Sequence, residues 1–229
     1  MHNLKKRYYS IVLAGFLSFF LGVTQAGSFT DFFRAVDVDD VGAVQSLLAE
    51  GFDPNAVNAK GDSALYLALR DKSFKVAQLL IEQPTIKLDQ LNPSGESALM
   101  IACLLGDASL VRLMVEHGAD VNKTGWTPLA YAATNGHTRI VSYLVRHSAA
   151  INAAAPNGTT PLMMAAYFGH RATAKLLLEN GADPSLKNQM GFTAEDLAQQ
   201  RGHKDTANLI ASYRHQVLHD PKVPVQTHW

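Results

Sequence analysis

Cysteine is almost absent from this chain, and neither charge sign is in excess. Cys103 is the only cysteine among 229 residues, and a single thiol cannot build an internal disulfide framework. We expect its side chain to be a small buried apolar group. The chain carries 20 basic and 20 acidic residues, so it lacks the basic excess typical of proteins that bind nucleic acids or anionic membranes. We expect neither kind of partner.

The sequence motifs of common catalytic sites are also missing. The chain contains no Gly-x-Ser-x-Gly nucleophile elbow and no Gly-x-x-x-x-Gly-Lys-Ser phosphate-binding loop. Cys103 lies in an expected helix without a neighbouring base. We therefore predict no enzymatic activity, no catalytic residues and no cofactor.

Long apolar runs are absent except for one near the N-terminus, from Ile11 to Val23. This run follows the basic residues at positions 5–7 and precedes the small residue Ala26, which is the order of a secretory signal peptide. As a helix it would be about 20 Å long, shorter than the ~30 Å hydrocarbon core of a bilayer, so an uncleaved anchor is the weaker alternative. We predict a signal peptide over residues 1–26 and an exported chain, most simply in a bacterial periplasm, without stable membrane insertion after cleavage.

Glycine recurs at a regular interval in the rest of the chain. Gly125, Gly158 and Gly191 are 33 residues apart, and Gly61 and Gly95 extend the series. The sequence Trp-Thr-Pro-Leu-Ala-Tyr-Ala-Ala follows the first of them, and Thr-Thr-Pro-Leu-Met-Met-Ala-Ala follows the second. A period of this length indicates a stack of small units, none of which can bury its apolar face alone.

Each unit contains the signals of two helices. Pro128 and Pro161 suit the first turn of a helix, and the threonine before each proline can cap it. Gly136 and Gly169 can end this helix in a left-handed conformation. A second apolar stretch follows, which ends in a turn such as Gly-Ala-Asp-Val-Asn at 118–122. The pattern predicts a helix, a turn, a second helix and an extended hairpin in every unit.

These residues resemble the repeat of the ankyrin family. Thr-Pro-Leu is intact at 127–129 and 160–162, and two earlier units have alanine in place of the proline, at Ala64 and Ala98. The resemblance implies an all-α ankyrin-repeat solenoid of paired antiparallel helices with β-hairpin fingers. It implies about six units, including an N-terminal and a C-terminal cap.

The predicted ankyrin repeat domain covers residues 27–215, and a polar C-terminal tail covers residues 216–229. The units of the predicted domain are 29–60, 61–94, 95–124, 125–157, 158–190 and 191–215.

Three histidines follow turn glycines in the same register, namely His137, His170 and His203. Equivalent side chains on successive units lie about 10 Å apart and cannot converge on one metal ion. The resemblance implies that these histidines form hydrogen bonds between neighbouring loops.

Another group of histidines lies near the C-terminus. His215 and His219 are four residues apart on an expected helix, with Asp220 and His228 nearby, and this spacing can bind zinc. No cysteine or firmly placed carboxylate completes the set. We predict no metal site, and metal binding by these histidines remains an alternative function.

The resemblance also implies where a partner protein would bind. In ankyrin repeats the variable positions of the concave face follow the repeat glycine, end the first helix or form the hairpin tip. The candidate partner-binding residues at these positions are Trp126, Tyr167, Phe168, Phe192, Met190, Leu104, Leu105 and Arg70. Aromatic side chains carry much of the binding energy at protein interfaces, although several of these residues could instead pack between repeats.

We therefore predict a monomeric, non-enzymatic module that binds another protein in the periplasm. A secreted effector that binds a host protein is the alternative function.

Overall fold

The computed structural model describes residues 27–219, with side chains up to residue 216. The predicted signal peptide, residues 1–26, lies outside the described residues, as does most of the predicted tail. Within the described residues the secondary structure consists of twelve helices and no strand. These helices are α1 (27–37), α2 (Val41–Ala49), α3 (Ala64–Arg70), α4 (Phe74–Ile81), α5 (Ala98–Leu105), α6 (Ala108–Glu116), α7 (Pro128–Thr134), α8 (Thr138–Arg146), α9 (Pro161–Tyr167), α10 (Arg171–Glu179), α11 (Ala194–Gln200) and α12 (Lys204–His219).

A hydroxyl side chain caps the first helix of each repeat after the N-terminal one. The Thr127 hydroxyl accepts a hydrogen bond from the Ala130 amide at 3.2 Å, and the Thr160 hydroxyl accepts one from the Met163 amide at 3.3 Å. Serine or threonine caps α3, α5 and α11 in the same way. The predicted caps are confirmed, because each hydroxyl satisfies an amide that has no partner inside the helix.

The fingers that precede the first helices are turns and not two-stranded ladders. Two of them contain one isolated antiparallel bridge each, between Val57 and Ser63 and between Leu91 and Ser97. The Asn92 side-chain oxygen accepts hydrogen bonds from the amides two and four residues later, at 3.0 and 2.9 Å. Side-chain hydrogen bonds thus hold the hairpin that the repeat pattern predicted, together with backbone hydrogen bonds such as the one from the Asn92 amide to the Glu96 carbonyl at 2.9 Å.

The described residues form two compact units, 27–85 and 86–219. In the first unit, α4 packs against both α2 and α3. In the second unit the first helices of the repeats, α5, α7, α9 and α11, pack side by side in one layer. The second helices, α6, α8, α10 and α12, pack against them and against one another as a second layer.

The leucine of each repeat lies in the core of the second unit. Leu99, Leu129 and Leu162 are 1% exposed or less. In the last repeat this position is Glu195, whose carboxylate lies 3.0 Å from the Arg214 guanidinium on α12. A charged pair therefore replaces the leucine in the unit predicted to cap the stack.

Cys103 lies in α5 and is completely buried. Burial in apolar surroundings raises the pKa of its thiol, because the charged thiolate loses its hydration. The prediction that Cys103 is a small buried apolar side chain is confirmed.

Hydrogen bonds from histidine link successive repeats. His137 Nε2 lies 3.0 Å from the carbonyl oxygen of Leu104, and His170 Nε2 lies 2.9 Å from that of Thr134. A carbonyl oxygen can only accept, so the imidazole nitrogen donates in both contacts. The predicted structural role of these two histidines is confirmed.

None of the described helices combines the length and the apolar character needed to cross a bilayer.

Candidate partner-binding surface

The eight predicted binding residues are divided between the two compact units. Arg70 lies in residues 27–85, and the other seven lie in residues 86–219. Each unit is therefore considered by itself. In the second unit we use the name first-helix face for the C-terminal ends of α5, α7, α9 and α11 and the turns that precede these helices.

Arg70 is the last residue of α3, and its charge is paired within its own unit. Its guanidinium donates two hydrogen bonds to the Asp71 carboxylate, at 2.8 and 2.7 Å, and lies 3.7 Å from Asp62. The hydrogen bond to Asp71 raises the pKa of Arg70. A partner that binds Arg70 would have to compete with these carboxylates.

The repeat register places the seven remaining residues in two sets, one in the turns before the first helices and one at the ends of these helices. Phe192 lies two periods after Trp126, directly after the repeat glycine in both cases. Tyr167 and Phe168, at the end of α9, correspond in register to Leu104 and Leu105 at the end of α5. Since the first helices pack side by side, side chains in equivalent positions lie on the same side of the layer.

Trp126 is half-buried in the turn before α7. Its ring packs edge-to-face on Tyr131, with ring centroids 6.4 Å apart and an interplanar angle of 89°. The Tyr131 hydroxyl donates a hydrogen bond to Glu96 Oε1 at 2.8 Å. Trp126 is thus held by a neighbour that is itself fixed to the preceding repeat.

Sequence reasoning did not select Tyr131 as a site residue. It occupies the position that Met164 occupies in the next repeat, so a difference between two otherwise similar copies was the available signal. Its contact with Glu96 spans 35 residues and could not be found from local spacing.

Tyr167 and Phe168 form the second aromatic pair of the first-helix face. Their ring centroids are 4.9 Å apart, at an interplanar angle of 78°. The Arg201 guanidinium lies over the Tyr167 ring, 4.4 Å from its centroid, which favours a cation–π attraction. Tyr167 is half-buried, whereas Phe168 is 43% exposed. Arg201 follows α11 and is a further candidate that was not selected from the sequence.

Leu104 and Leu105 at the end of α5 are half-buried. The Leu104 carbonyl oxygen accepts hydrogen bonds from Asn135 Nδ2, at 2.8 Å, and from His137. The backbone here is therefore engaged with the next repeat, and only part of each leucine side chain is available to a partner.

Met190 and Phe192 lie in the turn before α11. The Asn188 side-chain oxygen accepts hydrogen bonds from both of their amides, each at 3.0 Å, and Asn188 is itself buried. Phe192 is half-buried, while Met190 is 73% exposed. A fixed backbone thus presents an exposed, adaptable apolar side chain.

The structure places the seven residues at the C-terminal ends of the first helices and in the turns that precede them, and it does not leave all of them free. Five of the seven are half-buried, so the alternative of packing between repeats holds for part of their surface. Phe168 and Met190 are the predicted residues with large exposed apolar side chains.

The described residues contain no cluster of three or more histidine, cysteine, aspartate or glutamate side chains placed to hold a metal ion. His215 is exposed on α12. The His219 side chain, Asp220 and His228 lie outside the described part of the structure, so zinc binding remains a hypothesis.

Comparison with known families matches three copies of a family described as ankyrin repeats, over residues 32–124, 122–188 and 156–220. The chain therefore belongs to the ankyrin repeat family. Ankyrin repeats are protein–protein interaction modules and generally have no enzymatic activity of their own.

Characterised relatives match about half of the chain or less. A mouse B-cell lymphoma 3 protein homolog is 32% identical over 51% of this chain and 28% of its own length. Mouse protein phosphatase 1 regulatory subunit 27 is 40% identical over 39% of this chain and 60% of its own length. A palmitoyltransferase of Lachancea kluyveri is 26% identical over 46% of this chain and 15% of its own length. The chain thus covers less than two thirds of each of these relatives.

A solved structure supports the same architecture. The crystal structure of an ankyrin repeat domain from Acinetobacter baumannii AYE matches with a TM-score of 0.71 and 27% sequence identity, over 80% of this chain and 96% of that one.

Proposed function

We propose that this protein is a non-enzymatic binding module that engages a partner protein through the first-helix face of residues 86–219. The observation that carries the proposal is the exposure of Phe168 and Met190, 43% and 73% respectively, with Phe168 packed against the ring of Tyr167. Large exposed apolar side chains on a folded domain commonly mark an interaction site. The relative named as a regulatory subunit of protein phosphatase 1 is consistent with such a role.

The contacts of the face favour recognition by preformed side chains. Tyr167 is held between Phe168 and Arg201, and Trp126 is held by Tyr131. Side chains that are already fixed lose little conformational entropy when a partner binds. Trp126 and Tyr167 are therefore the expected anchors, and Phe168 and Met190 extend the contact area.

Site-specific photocrosslinking in the producing cell tests the proposal. A photoreactive amino acid at position 168 should yield a crosslinked partner protein, and the same group at Lys175, an exposed position on α10, should not. Tyr167→Ala should abolish the product. Crosslinks only between copies of this chain, or equal products from both positions, would contradict partner binding at this face.

Variants of the purified protein then separate binding from folding. Phe168→Ala should weaken binding of the captured partner about tenfold or more, and the loss of its ring contact with Tyr167 should lower the free energy of unfolding by about 1 kcal/mol, which leaves the protein folded. Val38→Ala is the matched control, because Val38 is 65% exposed but lies in the unit of residues 27–85 and not in the first-helix face. Equal losses in both variants would show that exposed apolar area, and not this face, determines binding.

We also propose that the protein acts in the periplasm after removal of residues 1–26. The basic residues and apolar run at the N-terminus support this location. Cell fractionation with mass spectrometry of the mature N-terminus should find a chain that begins at Gly27 in the periplasm. Recovery in the culture medium would favour the secreted effector, and an intact N-terminus in the cytoplasm would contradict export.

A further inference from the structure

A basic cleft lies on the layer of second helices. It has a volume of about 420 Å³ and lies along α6 and α8, with Leu176 of α10 at one side. Its polar lining includes three arginines, Arg112, Arg139 and Arg146, together with Tyr143. Volumes of this size are typical of sites for small molecules.

The three arginines lack acidic partners. Each is exposed, and none forms an ion pair with a carboxylate in the described part of the chain. Burial raises the pKa of Tyr143, and Glu116 raises it further, whereas the charges of Arg112 and Arg146 lower it. The cleft therefore keeps a positive balance, which a bound anion would reduce.

Tyr143 supplies a hydrogen-bond donor that the protein leaves unused. Its hydroxyl oxygen is buried and has no hydrogen-bond partner among the described residues. The Arg112 guanidinium lies 5.9 Å from the centre of the Tyr143 ring, and the His147 ring lies 4.0 Å from it. Tyr143 lines the cleft, and an oxygen atom of a ligand in the cleft can reach this hydroxyl after rearrangement of the flexible arginine side chains around it.

The rest of the lining is apolar except for the hydroxyl side chains of Thr138 and Ser142. Val111 and Ile140 are 1% and 2% exposed, and they line the cleft with Ala108 and Leu176. A ligand that fills the cleft would therefore combine an anionic group with an apolar body.

We propose that this cleft binds a small phosphomonoester with an aromatic or aliphatic body. A phosphomonoester presents three terminal oxygens and close to two negative charges, and this matches three arginines and one hydroxyl better than the two oxygens and single charge of a carboxylate. The arginine forks hold the phosphate oxygens, the Tyr143 hydroxyl donates to one of them, and the apolar floor contacts the body.

Calorimetric titration with phenyl phosphate and with inorganic phosphate tests this site and distinguishes the ester from free phosphate. Phenyl phosphate should bind, with an affinity that falls as salt is added, and inorganic phosphate should bind more weakly. Equal affinities would overturn the role of the apolar floor, and no heat of binding from either compound would overturn the site.

Variants assign the binding to the cleft. Arg112→Gln and Arg146→Gln should each weaken phenyl phosphate binding about tenfold or more. Arg171→Gln is the control, because Arg171 is an exposed cation on α10 that does not line the cleft. An equal loss in the control would show general charge attraction and overturn the assignment.

Tyr143→Phe provides a readout that a purely structural role would not give. The variant should bind phenyl phosphate more weakly while it melts at a higher temperature than the wild-type protein. A lower melting temperature together with weaker binding would show that the hydroxyl is structural and overturn its role as a ligand donor.

Discussion

The Tyr131 hydroxyl donates a hydrogen bond to Glu96 across two successive repeats, at a distance of 2.8 Å. Tyr131 lies in α7, and Glu96 lies in the turn before α5. The other carboxylate oxygen of Glu96 accepts from Asn92 at 2.9 Å. This link fixes the ring on which Trp126 packs, so repeat-to-repeat stability and the candidate binding surface depend on the same side chain.

Tyr131→Phe should lower the free energy of unfolding by about 1 kcal/mol, because the variant loses a hydrogen bond to a charged acceptor. Urea unfolding followed by circular dichroism measures the change. The phenyl ring remains in contact with Trp126, so partner binding should be nearly unchanged. An unfolding curve identical to that of the wild-type protein would show that the hydrogen bond contributes no net stability.

Tyr143→Phe should raise the free energy of unfolding, which is the opposite of the effect expected for Tyr131→Phe. The Tyr143 hydroxyl is buried without a partner, and its removal eliminates the cost of that burial, about 1 kcal/mol. The same urea experiment should therefore show a higher midpoint. The two Tyr→Phe variants make the same chemical change. They differ in whether the lost hydroxyl forms a hydrogen bond in the described structure. Destabilisation by both would mean that Tyr143 has a partner in solution.

The fold could be predicted from the sequence because its signals are local and repeat. Thr127 and Pro128 specify a helix start within two residues, and Gly136 specifies the end of that helix in left-handed backbone with φ of 68°. The same signals recur one period later. The single backbone bridge in two of the fingers was not predictable, because the resemblance gives the hairpin but not the number of its backbone pairs.

The candidate site could be predicted only in part. The register predicted that Trp126 and Phe192 occupy equivalent positions, since that depends on the period alone. It did not indicate that Arg201 lies over Tyr167, or that Arg112 and Arg146 line one cleft, because these relationships depend on distances between different repeats. The register also did not indicate that the charge of Arg70 is paired with Asp62, because this contact depends on distance in space and not on the period.

Gly136→Ala should destabilise the protein more than Gly118→Ala. Both glycines have positive φ, 68° and 92°, so alanine costs about 1–2 kcal/mol at either position. A Cβ at Gly136 would also lie 2.5 Å from His170 Nδ1, whereas a Cβ at Gly118 would have no neighbour within 4 Å.

The difference between the two glycine variants isolates the contact with His170. Displacement of this imidazole would weaken its bond to the Thr134 carbonyl, and we expect a further loss of about 1 kcal/mol or more in the Gly136→Ala variant. Thermal unfolding of both variants measures it. Equal melting temperatures would indicate that the imidazole moves aside without cost.

Asp196→Asn should lower stability at neutral pH but not in acid. Asp196 Oδ2 accepts hydrogen bonds from the Thr193 hydroxyl, at 2.7 Å, and from the Thr193 amide, at 2.8 Å. The hydroxyl contact, followed by the amide contact, lowers the pKa of Asp196 in the folded protein. The ionised carboxylate therefore stabilises the fold at pH values above the pKa of unfolded aspartate, about 3.9. This contribution is lost as the pH falls through the lower folded pKa.

Urea unfolding of the wild-type and Asp196→Asn proteins between about pH 7 and about pH 3 checks this dependence. We expect a difference of about 1 kcal/mol at neutral pH that shrinks as the acid limit is approached. Thr193→Ala serves as the control, because it removes the hydroxyl that contributes most to the lowered pKa. In that background, the effect of Asp196→Asn should be smaller and depend less on pH. A difference that is constant from neutral to acid pH would mean that the capping contact stabilises α11 without depending on the charge of Asp196.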